Sequence, residues 1–212
     1  MNKRFDFDKE KLNGFDYLIG TDEAGRGPGA GPVFAAAVCF TSYDERLSKL
    51  NDSKQLTEKV REELFDVIKE NSIWAIYQGS VEEIEQLNIL RASLLSMNRA
   101  CSDVISKLEQ GKYIVLVDGN KLIPDFKYNQ EYLIKGDTKS AAIAGASVLA
   151  KVARDRFMKE LDKEFPQYCW RENKGYMTKS HIDAVDKYGL CKWHRRKFFE
   201  KHFEKAKQLS LL

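Results

Sequence analysis

Tyr17-Leu18-Ile19-Gly20-Thr21-Asp22-Glu23 runs into Ala24-Gly25-Arg26-Gly27-Pro28-Gly29-Ala30-Gly31-Pro32 and out through Val33-Phe34-Ala35-Ala36-Ala37-Val38-Cys39-Phe40. The first seven residues read as a strand, and 33–40 is an apolar run of the length of a second, buried strand. A glycine-rich turn joins them, so the segment opens the fold as a hairpin. Gly25, Gly27 and Ala30 fit the spacing of a dinucleotide fingerprint, but that motif must open a helix, and Pro32 introduces a strand instead. No Gly-Lys-Ser/Thr follows, which excludes a Walker loop. What remains is a tight hairpin turn or a loop whose bare backbone, with Arg26 in it, can approach a sugar and phosphate closely. Glycine content does not choose between them.

Further along, Thr57 is placed to cap a helix that carries Val60, Leu64, Val67 and Ile68 on one face. Residues 73–79 read as a strand. Ser80 and Glu83 form a capping box ahead of a longer helix bearing Leu90, Leu94, Met97, Cys101, Val104 and Leu108, closed by Gly111. Residues 113–117 are an apolar run typical of a strand covered on both faces, ending at Asp118. A short strand is expected near 132–134, then an Ala- and Gly-rich helix over 140–165 that Pro166 stops. Residues 178–188, ended by Gly189, and the stretch after Trp193 are helical in pattern. Alternating strands and helices imply an α/β fold: a mixed central sheet, helices on both faces and a helical C-terminal segment.

Ligands of open α/β sheets collect outside the carboxyl ends of strands. Two of the expected strands end there in acids, one in Asp22 and Glu23 and the other in Asp118. Each alone reads as an ordinary turn acid, but their common position argues for more. Carboxylates about 4 Å apart repel by roughly 4 kcal/mol at an effective dielectric near 20, and divalent cations turn that repulsion into attraction. Asp155 lies in line with Lys151 and Val148 on the Ala-rich helix, where a surface salt bridge is the plain expectation.

With 212 residues, 43% hydrophobic and 32% charged, the chain suits one globular domain. We expect a catalytic domain over 1–190 and a basic helical tail over 191–212 that packs on or extends it. The charged opening and the absence of a long apolar run point to the cytoplasm, with no membrane partner, and a monomer is expected. Cys39, Cys101, Cys169 and Cys191 are expected as reduced thiols. Cys169, His181, Cys191 and His194 could in principle form a zinc tetrad, but their spacing matches no common module. Net charge is +3, unevenly spread: residues 171–212 hold 11 Lys and Arg against 5 Asp and Glu, a balance of +6. With Tyr176, Tyr188, Trp193, Phe198, Phe199 and Phe203 interleaved, that segment suits a polyanion, or else a solvated amphipathic helix.

The opening from Asp22 through Pro28 to Val33 resembles the signature of ribonuclease HII. Further blocks match in order: Asn51-Asp52-Ser53-Lys54, Val117-Asp118-Gly119, Ile134-Lys135-Gly136-Asp137 and Ala150-Lys151-Val152-Ala153-Arg154-Asp155-Arg156. Lys174-Gly175-Tyr176 with Thr178 and His181, and His194-Arg195-Arg196, resemble its C-terminal blocks, so the likeness spans about 14–199. Ala24 and Arg26 stand where the sister type HIII usually has Ser and Lys. Met177, Gly145 and Lys197 depart from the family's usual residues. The resemblance implies a ribonuclease H-like fold with Asp22, Glu23, Asp118 and Asp155 as catalytic, metal-binding acids for Mg²⁺ or Mn²⁺. It implies that Gly25, Arg26, Gly27 and Tyr176 recognise the ribonucleotide and the step into DNA. The implied substrates are RNA/DNA hybrid and DNA containing ribonucleotides, cut 5′ to the ribonucleotide by a two-metal-ion mechanism to leave 5′-phosphate and 3′-hydroxyl ends. Ribonucleotide removal and RNA primer processing are the implied roles. The alternatives are a related nuclease acting on structured DNA and a non-catalytic nucleic-acid-binding module.

Overall fold

A computed structural model describes residues 3–51 and 53–209, with side chains through Glu204; Asp52 of the Asn51–Lys54 block lies outside the described residues. The elements are α1 (Lys3–Lys11), β1 (Tyr17–Ala24), β2 (Val33–Phe40), α2 (Glu58–Glu70), β3 (Ser72–Gly79), α3 (Val81–Leu87), α4 (Ile89–Ser106), β4 (Tyr113–Asp118), β5 (Asn129–Leu133), α5 (Ala141–Glu164), α6 (Trp170–Asn173), α7 (Lys179–Tyr188) and α8 (Arg196–Leu209). The sheet runs β3-β2-β1-β4-β5. β1 and β2 pair antiparallel, as do β2 and β3, whereas β1–β4 and β4–β5 are parallel. The expected mixed sheet is therefore present.

Period-two alternation gives each face of the sheet its own partner. Ile19, Ala35, Ala37, Val115 and Val117 pack with Met97, Cys101 and Val104 of α4. On the other face, Leu18, Ile114 and Leu116 pack on Ala142 and Ile143 of α5, and Ala36 and Val38 on Ala144 and Val148. Three consecutive alanines in β2 keep both helices close. The tightest approach is at Gly20, where an added Cβ would lie 2.2 Å from the Ala142 carbonyl carbon.

Two caps sit where the sequence places them, Thr57 accepting from Val60 and Ser80 and Glu83 closing a capping box; the structure adds a third at Ser140, which accepts from Ile143. Two differences stand out. Residues 3–11 form a helix that no apolar stripe announces. The long helix after Ser80 is broken at Asn88, whose φ is +72° and whose side chain caps the new helix at Arg91. Among the described residues no helix is long and apolar enough to cross a membrane.

The basic C-terminal segment is only partly a surface. His194, Arg195 and Phe199 are buried, Trp193 is half-buried, and His194 bridges to Ala30 of the glycine-rich loop. Lys192, Arg196, Lys197 and Lys201 remain exposed. A phosphate could therefore meet those four cations, but not Arg195.

Gly20→Ala tests the sheet-to-helix contact. Overpacking of a close-packed core typically costs about 1–3 kcal/mol, and a clash with backbone belongs at the upper end. The urea midpoint should fall accordingly; an unchanged midpoint would mean that α5 does not rest on β1.

Candidate active site

The parallel register pairs Thr21 with Val117, so Asp22 and Asp118 follow side by side on adjacent strands. Alternation turns both toward α5, and Glu23 toward the other face. They meet at a crevice of about 180 Å³ that is also lined by Gly25, Arg26, Gly27, Lys54, Asp137, Lys151, Arg154 and Tyr176. Four acids and four bases thus share one recess.

Burial of Asp22 beside Glu23 and Asp118 pushes its carboxyl well above the ordinary range, an effect the Ser147 hydroxyl of α5 partly offsets. Burial also raises Glu23, against the opposing pull of Arg26 at 3.2 Å. Asp118 is raised by burial, while the N–H groups of Gly136, Gly119 and Asp137 stabilise its charge; the Gly136 N–H donates to Oδ1 at 2.7 Å. Asp155 is buried but does not line the crevice. Its carboxylate pairs with Lys151 at 2.6 Å and Arg61 at 3.9 Å. The helical spacing from Ser147 through Lys151 to Asp155 puts the three on one face of α5.

Gly25, Arg26 and Gly27 follow β1 directly into the crevice wall. Tyr176 stands opposite, 47% exposed, and an added Cβ on Gly27 would lie 3.5 Å from its ring. Its backbone is fixed from behind: the Tyr176 carbonyl accepts from His181 Nδ1 at 2.9 Å, and Gly29 N–H donates to the Gly175 carbonyl at 2.9 Å. His181 Nε2 accepts from Trp170 Nε1 at 3.1 Å, and His194 Nδ1 accepts from the Cys191 N–H at 2.9 Å. Both imidazoles are thus engaged in hydrogen bonds, none of the four cysteines is in a disulfide, and among the described residues Cys169, His181, Cys191 and His194 are not gathered as a metal-holding group.

Ser53, Asp137, Ser147, Lys151 and Arg154 line the crevice without having been assigned a role from the sequence. The order of blocks could have flagged Asp137 and Lys151; Ser147 is visible only as a polar residue in a small-residue helix. The departures have local explanations. An alanine at 145 would press on Phe40 at 3.1 Å, Met177 packs over Gly29, and Lys197 donates to the Glu85 carbonyl at 2.8 Å.

Acids at the carboxyl ends of two neighbouring parallel strands, on a mixed five-stranded sheet with helices on both faces, define a ribonuclease H-like hydrolase. Known proteins agree. The family model for ribonuclease HII matches residues 19–206. A ribonuclease HII of Fusobacterium nucleatum is 50% identical over 188 residues, covering 88% of this chain and 87% of its own. One of Pelagibacter ubique is 54% identical over 183 residues, covering 85% and 95%. An Archaeoglobus fulgidus chain, solved as a PCNA:RNase HII complex, superposes with a TM-score of 0.66 at 25% identity, covering 84% of this chain and 93% of that one. The chain belongs to the ribonuclease HII family and is a nuclease with ribonuclease H activity; the family depends on divalent metal ions.

A raised carboxyl pKa makes stability depend on pH in a defined sense. Asp22 binds its proton more tightly folded than unfolded, so the folded protein gains from it below the ordinary carboxylate pKa and loses that gain as pH rises through the folded value. Asp22→Asn should therefore raise the urea midpoint of metal-free protein at pH 8 and change it less at pH 4. Because Asp8, raised by burial to about 6, is present in both proteins, it cancels from the comparison. A variant less stable than wild type at pH 8 would refute the crowding of carboxylates.

Proposed function

We propose that the chain hydrolyses the RNA phosphodiester of RNA/DNA hybrids and of single ribonucleotides embedded in duplex DNA. It cuts 5′ to the ribonucleotide and leaves 5′-phosphate and 3′-hydroxyl ends. The observation carrying this reading is one crevice that holds Asp22, Glu23 and Asp118 together with the glycine-rich loop and Tyr176.

The donor set there fits a hard divalent cation, Mg²⁺ or Mn²⁺: it is made of carboxylate oxygens, with no thiolate or imidazole among the crevice residues. Among the described residues no three His, Cys, Asp or Glu side chains gather as a ready-made cage. Asp22, Glu23 and Asp118 would hold the cation, with Asp155 reached from the adjoining turn of α5. Two bound cations would lower the pKa of the attacking water and relieve charge on the departing 3′ oxygen.

The chain's own groups supply positioning. Lys54, Lys151 and Arg26 set positive charge beside the acids, where a phosphate must enter. Gly25 and Gly27 carry no side chain to block the 2′-hydroxyl, the group that distinguishes RNA from DNA. The exposed ring of Tyr176 offers an apolar face to a deoxyribose next to the ribonucleotide.

Asp118→Asn should leave hybrid binding in EDTA intact but remove about 4 kcal/mol of transition-state stabilisation, roughly a thousandfold in kcat. Wild-type turnover in the variant would sink the site assignment. Tyr176→Ala should lose about tenfold in kcat/KM at a single embedded ribonucleotide, in line with the worth of an aromatic contact, and less on a continuous hybrid. Equal losses on both substrates with a lowered Tm would make Tyr176 a structural residue instead.

A further inference from the structure

Two buried arginines lie behind the glycine-rich loop, and among the described residues neither makes an ion pair. Arg195, fully buried, donates from Nε to the Gly31 carbonyl at 2.9 Å, from one Nη to Arg26 at 3.2 Å and Pro28 at 2.8 Å, and from the other to Gly25 at 2.7 Å. Its backbone N–H donates to the Gly29 carbonyl at 2.8 Å. Arg154, 1% exposed, donates to the carbonyls of Pro32 at 3.2 Å, Ala30 at 3.0 Å and Lys174 at 2.9 Å. Two cations in the interior would normally demand carboxylates. Here their partners are carbonyl oxygens.

The consequence follows from the planar trans peptide, in which the C=O and the next N–H point in opposite directions. Holding the Gly25 and Arg26 carbonyls inward on Arg195 turns the N–H groups of Arg26 and Gly27 outward. Neither N–H meets a protein acceptor among the described residues, and both residues line the crevice. Gly25 must lack a side chain for the same reason: its φ is +101°, and an added Cβ would lie 2.1 Å from Arg154 Nε. We propose that Arg195, braced by Arg154, is a positioning residue that holds the loop with its carbonyls inward and presents the Arg26 and Gly27 N–H groups to an acceptor oxygen of the bound ribonucleotide. The fixed guanidinium charges behind the loop favour the electron-rich oxygens in front of it. This rests on the reading of the loop as the ribonucleotide seat.

Lysine at 195 keeps the charge but concentrates its donors at one point, so it cannot span four carbonyls. With the Mg²⁺-loaded full chain, Arg195→Lys should lose about tenfold or more in kcat/KM on a duplex with one embedded ribonucleotide, the effect of one or two misplaced hydrogen bonds. Part of the loss should fall on kcat, because a displaced ribonucleotide is a misplaced scissile bond. Affinity for an all-DNA duplex should stay at the wild-type level. Wild-type kinetics in a folded Arg195→Lys protein would overturn the proposal, as would equal losses in cleavage and all-DNA binding. Wild-type protein provides a second test that needs no variant. A guanidinium held on both Nη groups and Nε should give resolved, slowly exchanging NMR signals for Arg195, and one rapidly averaged signal would overturn the strut. If wild type cleaves at a ribonucleotide no better than it cleaves all-DNA duplex, the reading of the loop fails while the NMR result still decides the role of Arg195.

Discussion

Asp22 and Asp118 are forced together by hydrogen-bond register, and much of the local structure answers that constraint. Two parallel strands aligned at Thr21 and Val117 leave their next residues no choice but to be neighbours, and burial denies Asp22, and partial burial in part Asp118, the water that would screen them. The surroundings answer with groups that stabilise negative charge without removing it: the Gly136 N–H on Asp118, the Ser147 hydroxyl by Asp22, and Arg26 on Glu23. These offset the crowding only in part, since all three carboxyls remain raised. A site that leaves such repulsion unresolved is suited to a cation.

The same stretch of chain sets the opposite wall. β1 carries the acids and, without a break, becomes the loop of Gly25, Arg26 and Gly27, so the proposed metal and ribonucleotide sites are joined covalently. Side chains distant in sequence hold the loop in shape. Arg154 comes from the middle of α5 and Arg195 from the segment before α8. The C-terminal segment therefore contributes to the site from behind, through buried bonds, while its lysines Lys192, Lys197 and Lys201 and Arg196 stay exposed.

The strands and their acidic ends were legible because alternation and strand-end position survive in a single sequence. The four acids, the glycine-loop residues and Tyr176 came from ordered motifs, and the structure brings Asp22, Glu23, Asp118, Gly25, Arg26, Gly27 and Tyr176 to one crevice, with Asp155 just beyond it. Other features were illegible for physical reasons. α1 presents Phe5 and Phe7 on a charged background too short to show a stripe. The break at Asn88 depends on a positive φ that asparagine tolerates without advertising it. Arg195 reads as one more surface cation because its partners are main-chain carbonyls, which leave no mark in the sequence.

On the reading proposed above, the carboxylates at the ends of β1 and β4 form the divalent-cation site. Titrating Mn²⁺ into ¹⁵N-labelled protein measures this directly, because a paramagnetic ion broadens the amides nearest to it. Broadening is expected to begin at Asp22, Glu23, Asp118 and Gly119, and Asp118→Asn should move it to higher Mn²⁺ concentration. Broadening that begins at another acidic cluster, or that Asp118→Asn leaves unchanged, would contradict that reading.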